Sequence, residues 1–294
     1  MRVGVVDVGS NTARLLVADV DGTSVREIER DRRYLRLGDD VHAFGKISPE
    51  KLAETSEVAG RFARTAWQGG AERLTTIVTA PGRQAANGAE LVRLLEATTK
   101  ATVTQLSGDD EGRLAWEGAV ASAGGTDGAC ATIDLGGGSF EIAVGTAETG
   151  PAWVRSIDAG ALRISRTYLD GTPPTADDVV AARQAIRREV APLEPPPADE
   201  TLVVGGTARA IARVIGPRFD AEQLEGLAAT LLRIPLGAIV ASHGITPERA
   251  RTLLGGTLVL VELAHELDAE LRVVRGGVRE GAALALARPH RAAA

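Results

Sequence analysis

The sequence predicts an α/β protein of two related domains, each a sheet covered by helices. Three observations lead there: an internal repeat, glycine turns at the ends of four apolar runs, and strand-like runs alternating with helical ones through both halves. The repeat emerges when residues 5–20 (VVDVGSNTARLLVADV) are laid beside residues 132–145 (TIDLGGGSFEIAVG). In each, an apolar pair precedes Asp, a glycine follows two positions on, and a small polar residue leads into a second apolar run. Asp7 and Asp134 align across an offset of 127 residues, the difference of their numbers. That is too long for a solenoid unit and suits a duplicated domain opening as strand, tight turn and strand.

In chain order, a helix is expected over 50–67, where Leu52, Ala59, Phe62, Ala63 and Ala66 recur at helical spacing before Gly69-Gly70 stops it. A strand over 74–79, a turn at APGR, a helix near 88–98 and a strand over 102–106 follow. Ser107 and Asp110 have capping-box spacing, which puts Glu111 in the first turn of the next helix. The Gly-Gly-Thr-Asp-Gly run at 124–128 punctuates the chain. Domains are therefore expected at 1–123 and 124–294, with the last helix able to pack on the first. Phe140, Ile142 and Val144 alternate with Glu141 and Ala143, a half-buried strand that turns Glu141 off the apolar face. Thr175 and Asp178 start a helix over 175–191, and PLEPPPAD at 192–199 is a rigid linker or loop. A strand over 201–204 feeds GGTARAIARV, a glycine turn opening a helix. Two or three helices fill 221–268, the last apolar enough for core or a dimer contact, and a strand over 271–275 leads into RGGVREGAALALA, again a glycine turn and helix.

Composition narrows the function. With 294 residues, 44% hydrophobic and 24% charged, the chain is an ordinary globular protein. Aromatic residues are only 3%, too few for a base-stacking surface, and a net charge of −6 supplies no basic field for nucleic acid or an anionic membrane. A polyanion must be met by a local cluster. The single cysteine, Cys130, makes no intramolecular disulfide and is expected as a small buried hydrophobe. MRVGVVDVGS lacks the features of a signal peptide, and no apolar run reaches the roughly 20 residues of a membrane span. A reduced, cytoplasmic location is expected.

Four glycine turns sit at strand ends: Gly9-Ser10-Asn11, Gly136-Gly137-Gly138-Ser139, Gly205-Gly206-Thr207 and Gly276-Gly277. Glycine lets a ligand approach the backbone, so successive N–H groups can point at one phosphate oxygen. Any one of them is explained as a tight turn; two copies of Asp-x-Gly-(Ser/Gly) on hairpins suggest amide donors from two sides. Neither copy has the spacing or lysine of a P-loop. Asp7 and Asp134, with Glu141 near the second, are oxygen ligands of the kind a divalent cation takes alongside phosphate; the plain alternative is that each aspartate caps its turn. His42, His243, His265 and His290 show no metal-ligand spacing.

The segments DVGSNTARLLVAD, VTAPGRQAANGAEL, LSGDDEGRLAWEGA, IDLGGGSFEIAVG, SIDAGALRISRTYLDGTPPT, VVGGTARAIA and GGVREGAAL, in order from residue 3 to about residue 286, resemble the exopolyphosphatase/guanosine pentaphosphate phosphatase family. SGDDEGRLAW followed by IDLGGGSFE is the specific part of the match. That family belongs to the actin, sugar-kinase and heat-shock ATPase superfamily, so the resemblance implies two ribonuclease-H-like domains flanking an active-site cleft, closing about a hinge near 116–128. It implies a hydrolase that removes terminal phosphate from inorganic polyphosphate, or the 5′ γ-phosphate from guanosine pentaphosphate, by water attack with Mg²⁺ or Mn²⁺, and a homodimer.

The family's catalytic glutamate corresponds to Glu111, whose place in a first helical turn favours the ionised form. The resemblance further implies Glu141 and Asp134 at the metal and the nucleophilic water, Asp7 as a further metal ligand, and Arg83 as clamp on the scissile phosphate. Gly9, Ser10, Asn11, Gly137, Gly138 and Ser139 would cradle the phosphoryl group, Gly206 and Thr207 would bind farther along the substrate, and Arg14 would meet the next phosphate. Arg36, Arg163, Arg209 and Arg279 are looser candidates for a basic track, in a chain with 30 arginines and three lysines. Ala80-Pro81-Gly82 departs from the family's Ser-Ala before the arginine, Phe140 replaces a threonine, and a chain ending at residue 294 corresponds to the short two-domain form. Two other readings compete: a kinase of the same superfamily, and a non-catalytic alarmone- or polyphosphate-binding regulator.

Overall fold

Each copy of the repeat folds as a hairpin, and each hairpin seeds a sheet in the computed structural model, which describes residues 1–171 and 173–288. In the first half, β1 (Arg2–Val8) pairs antiparallel with β2 (Thr12–Asp21), and β2 with β3 (Ser24–Tyr34). Helices α1 (Leu37–Phe44) and α2 (Pro49–Gln68) lead to β4 (Arg73–Val78), parallel to β1. Then come α3 (Ala80–Gln84), α4 (Gly88–Thr99), β5 (Thr102–Gln105) parallel to β4, and α5 (Gly108–Ala123).

The second half repeats the plan with β6 (Ala129–Leu135), β7 (Phe140–Thr146), β8 (Gly150–Ile157), α6 (Ala161–Tyr168), α7 (Ala176–Val190), β9 (Glu200–Val204) and α8 (Gly206–Ile215). It continues through β10 (Arg218–Phe219), α9 (Ala221–Leu231), α10 (Leu236–His243), α11 (Pro247–Ala250), α12 (Leu253–Leu267), β11 (Leu271–Val273) and α13 (Val278–Ala287). The sheets run β3-β2-β1-β4-β5 and β8-β7-β6-β9-β11, with β10 added at the second one's edge. The order is the same in both halves, which gives the two α/β domains that the repeat predicts.

Contacts divide the chain into two units, one of Met1–Ser122 with the segment from Gly276 on, the other of Ala123–Arg275. By its contacts α13, expected within 124–294, lies with the first unit. Its Val278, Ala282, Ala283 and Leu284 pack with Val3, Val5 and Leu16 on one face of the first sheet. Val6, Val8, Leu15 and Val17 on the other face meet Ala59, Phe62 and Leu91 of α2 and α4, as strand alternation requires. Glycines bring α13 against α5: a Cβ at Gly118 would overlap the Gly277 carbonyl, and one at Gly281 the Leu114 carbonyl.

Local signals account for most boundaries. Ser48 caps α2 ahead of Pro49, and Thr175 and Asp178 close a reciprocal capping box on α7. Four expectations are corrected. APGR is not a plain turn but the short helix α3, started by Pro81. Residues 221–268 hold four helices rather than two or three, because 232–252 folds into two short helices, one after Pro235 and one starting at Pro247. The strand carrying Glu141 is buried on both faces, not half-buried: Phe140 and Ile142 on one and Glu141 and Ala143 on the other are all covered. The stretch 116–123 expected in a hinge is part of unbroken α5; Gly124, Gly125 and Gly128 beyond it have positive φ.

Cys130 is buried in β6, and burial pushes its thiol up to about 12. His42, His243 and His265 lie on α1, α10 and α12; His290 lies outside the described residues. No helix among the described residues is long and apolar enough to cross a membrane.

Candidate active site

In the first unit the turn between β1 and β2 is held from behind through its carbonyls. Ser10 O accepts from Gly38 N–H at 2.7 Å, and Asn11 O accepts from Leu35 N–H at 3.0 Å and Arg36 N–H at 3.1 Å. Gly9 N–H donates across the turn to Thr12 O at 3.0 Å. The N–H groups of Ser10 and Asn11 donate no hydrogen bond among the described residues. Since backbone donors are rarely left unsatisfied, two adjacent ones on a rigid turn form a ready site for an anion. Arg36 serves this turn through its backbone, in a left-handed conformation at φ 58°.

Glu111 and Arg83 come together in the same unit. Arg83 Nη1, on α3, donates to Glu111 Oε2 at 2.7 Å and to Leu106 O at 3.0 Å. Glu111 is 7% exposed, held by its N–H to Ser107 O at 3.0 Å in the capped first turn of α5. Ser107 and Asp110 make that cap, with Asp110 N–H to Ser107 Oγ at 3.0 Å. Ala80-Pro81-Gly82 thus still delivers Arg83 to the motif glutamate. The guanidinium fixes the carboxylate in one orientation by a charge-assisted bond. Asp7 is buried below the turn; burial pushes its carboxyl above the usual range, Arg14 and Arg279 oppose that, and Glu280 adds to it.

In the second unit the loop Gly136–Ser139 is buttressed by the first turn of α6. Ala161 N–H donates to Gly136 O at 3.0 Å, Leu162 and Arg163 N–H to Gly137 O at 2.9 and 3.0 Å, and Arg163 Nε to Gly138 O at 3.2 Å. Gly136 N–H crosses the loop to Ser139 O at 3.1 Å, and the N–H groups of Gly137 and Gly138 donate to nothing among the described residues. Gly160 makes the buttress possible, because a Cβ there would lie 2.5 Å from the Gly137 carbonyl. Arg163, a looser track candidate, is thus a strut of this loop.

Asp134 and Glu141 face each other directly across β6 and β7, and Ser156 Oγ donates to Glu141 Oε1 at 2.7 Å. Two carboxylates at opposed strand positions repel unless a proton or a cation lies with them. Hard oxygen donors of this kind fit Mg²⁺ or Mn²⁺, with water and phosphate completing the shell. Among the described residues no group of three or more His, Cys, Asp or Glu side chains converges as a metal site, so protein ligands beyond such a pair are not preassembled.

Gly205, at φ 106°, passes so close to Leu135 O and Asp134 Oδ1 that a side chain has no room. Gly206 and Thr207 open α8, where Arg209 follows on the first turn. Arg249, from α11, lies over Gly206, where a Cβ would overlap its guanidinium, and its Nη1 donates to Thr207 Oγ1 at 3.1 Å. Sequence reasoning missed Arg249: it stands 42 residues from Thr207 with no local motif around it.

Comparison with known proteins gives the family and the fold. The model of the Ppx/GppA phosphatase family matches residues 16–290. Exopolyphosphatase 2 of Mycobacterium tuberculosis is 29% identical over 316 residues, covering 97% of this chain and 98% of its own. The crystal structure of the Aquifex aeolicus Ppx/GppA family member shares the fold at TM-score 0.82 and 23% identity, covering 97% of both chains. An exopolyphosphatase from Cytophaga hutchinsonii does so at TM-score 0.84 and 19% identity over 96% of both chains.

Proposed function

Because the chain belongs to the Ppx/GppA phosphatase family, we propose that it is an exopolyphosphatase, removing the terminal phosphate of inorganic polyphosphate with Mg²⁺ or Mn²⁺. Guanosine pentaphosphate is the second substrate of this reading, the cytoplasm its location and a homodimer its assembly. The observation that carries it is the Arg83–Glu111 pair, a half-buried guanidinium on a buried carboxylate. An acid set in one orientation by a guanidinium suits water activation, and a kinase would instead need a base aimed at an acceptor hydroxyl.

In this reading Glu111 orients a water and takes its proton as the water oxygen bonds to the terminal phosphorus. The bond from that phosphorus to the bridging oxygen breaks, releasing inorganic phosphate and a chain shorter by one unit. The amides of Ser10, Asn11, Gly137 and Gly138 hold phosphoryl oxygens, and with Ser139 they stabilise the charge that develops there. Arg83 positions Glu111 and supplies positive charge to the scissile phosphate. Asp134 and Glu141 would hold the divalent cation, which when bound neutralises phosphate oxygens. Gly206 and Thr207, with Arg249 over them, lie farther along the substrate, and Arg14 meets the next phosphate.

The test is phosphate release from long polyphosphate, short polyphosphate, guanosine pentaphosphate and ATP in parallel, with Mg²⁺. Glu111→Gln is expected to lower turnover by about 10²–10⁴-fold. Turnover unchanged by that substitution would remove the catalytic assignment, and ligand binding with no release from any substrate would favour the regulator.

A further inference from the structure

An open sheet ends in edge strands, whose outward N–H and C=O groups offer a template to another chain unless something blocks them. The two sheets have four such edges: β3 and β5 in the first, β8 and β10 in the second. Three are blocked. β3 is rich in charge, and pairing with its own copy about Ile28 or Glu29 sets Glu27 against Glu29 or Asp31 and Arg26 against Arg30 or Arg32. β8 holds Pro151, which has no N–H, and Arg155 Nη1 donates to the Val154 carbonyl at 2.7 Å. β10 has only two residues.

β5 is also short, at four residues, yet Thr102-Val103-Thr104-Gln105 carries neither charge nor proline, and it is exposed apart from half-buried Val103. Its ladder with β4 fixes which backbone groups look outward. Leu106 N–H donates to Val78 O at 2.9 Å, and Thr102 O accepts from Thr75 Oγ1 at 3.4 Å, so Thr102, Thr104 and Leu106 turn their backbone toward β4. Ala101, Val103 and Gln105 therefore turn theirs to the open side. Among the described residues, no turn, loop or side-chain hydrogen bond engages the backbone of Val103 or Gln105.

We infer that the β5 edge is an interface between two copies of this chain, paired antiparallel about a two-fold axis at Val103. Directly opposed residues share a face of the sheet, so the axis passes through a residue and not between two. At Val103 the two copies of that residue exchange both bonds, and Gln105 does the same with Ala101 of the second copy. Thr102 then faces Thr104 of the second copy on either side of the axis, a favourable pair with no charge to oppose it. An axis at Thr104 would put Thr102 against Leu106, which is buried. Val103 packs half-buried against the core of the first unit, and its own copy covers the rest. Two five-stranded sheets become one of ten strands. The edge is complementary to itself and has no charged residue by which to choose a foreign strand, which selects a second copy as its occupant. The interface rests on the proposed reading only for the expectation of a homodimer and is independent of the substrate.

The contact is small, so a dissociation constant of about 10–100 µM is expected from sedimentation velocity of the intact chain. Thr102 and Thr104 are exposed, so charged side chains there leave the fold intact. T102K/T104K sets like charges opposite each other on both sides of the axis and is expected to weaken the dimer by about tenfold. T102K/T104E sets opposite charges there and is expected to stay within about threefold of the wild type. Hydrogen exchange gives a residue-level readout. The amides of Val103 and Gln105 should slow as protein concentration rises through the dissociation constant, while that of Thr104, already turned to β4, should not change.

A chain that stays monomeric at such concentrations overturns the interface, as does a dimer that T102K/T104K leaves intact or one whose Val103 and Gln105 amides ignore concentration. A T102K/T104E dimer as weak as that of T102K/T104K overturns the register. Failure of the proposed activity looks different: no phosphate release from polyphosphate by the wild type, with these association contrasts intact.

Discussion

Asp7 shows what a buried carboxylate costs a fold. Burial raises its carboxyl above the unfolded value, so the stability tied to it is fully present below the ordinary aspartate range and is lost as pH rises through its raised folded value. The cations Arg14 and Arg279 only partly offset this. Asp7→Asn is therefore expected to melt at higher temperature than the wild type at pH 7, with the difference fading as pH falls toward about 4. Thermal unfolding across that range measures it; a variant less stable at pH 7 would mean that the charges of Arg14 and Arg279 outweigh desolvation. The site residues differ in how far sequence could reach them. The turn glycines and both aspartates announce themselves by spacing, whereas the Arg83–Glu111 bond joins positions 28 apart and no local pattern states it.

At the scale of elements, backbone-to-backbone contact at glycine recurs wherever a functional loop or helix is braced. Gly160 lets α6 donate into the Gly136–Ser139 loop, and Gly118, Gly276 and Gly281 let α5 lie against α13 and the turn before it. α5 carries Glu111 in its first turn and Gly118 about two turns on, so the contact bears on the helix that holds that carboxylate. Gly118→Ala is expected to destabilise the protein by about 1–3 kcal/mol through overpacking and to lower turnover with it, because α5 must shift along its length. Urea unfolding and phosphate release measure the two; a stable variant with full activity would show that the helices part without moving Glu111. Elements with apolar periodicity, such as α2 and β4, were legible, while β3 was not: SVREIERDRRY is exposed along most of its length and shows no alternation. Its register comes from β2, not from its own sequence.

At the scale of the molecule, the second unit is tied by a charge network rather than by apolar packing alone. Glu262 of α12, only 4% exposed, accepts from Arg183 Nε and Arg187 Nε of α7, each at 2.7 Å, and Arg183 reaches Glu225 of α9 as well. Glu262→Gln is expected to cost about 1–3 kcal/mol, since the charge-assisted bonds from Arg183 and Arg187 are weakened while Arg183 keeps Glu225 as counter-charge. Hydrogen exchange should speed up within 123–275, the unit this network belongs to; equal loss of protection in residues 1–122 would show that the two units unfold as one.

The sequence by itself determined the α/β class, the duplication, the glycine hairpins and the candidate aspartates, because turn chemistry and strand alternation act over a few neighbouring residues. Tertiary structure alone decided that β7 buries Glu141, that Arg249 covers Gly206, that α13 packs with β1 and α5, and that Asp7 carries its own arginine neighbours. Each of those depends on which distant side chain arrives at a given face, and that follows from packing and sheet register rather than from any local preference.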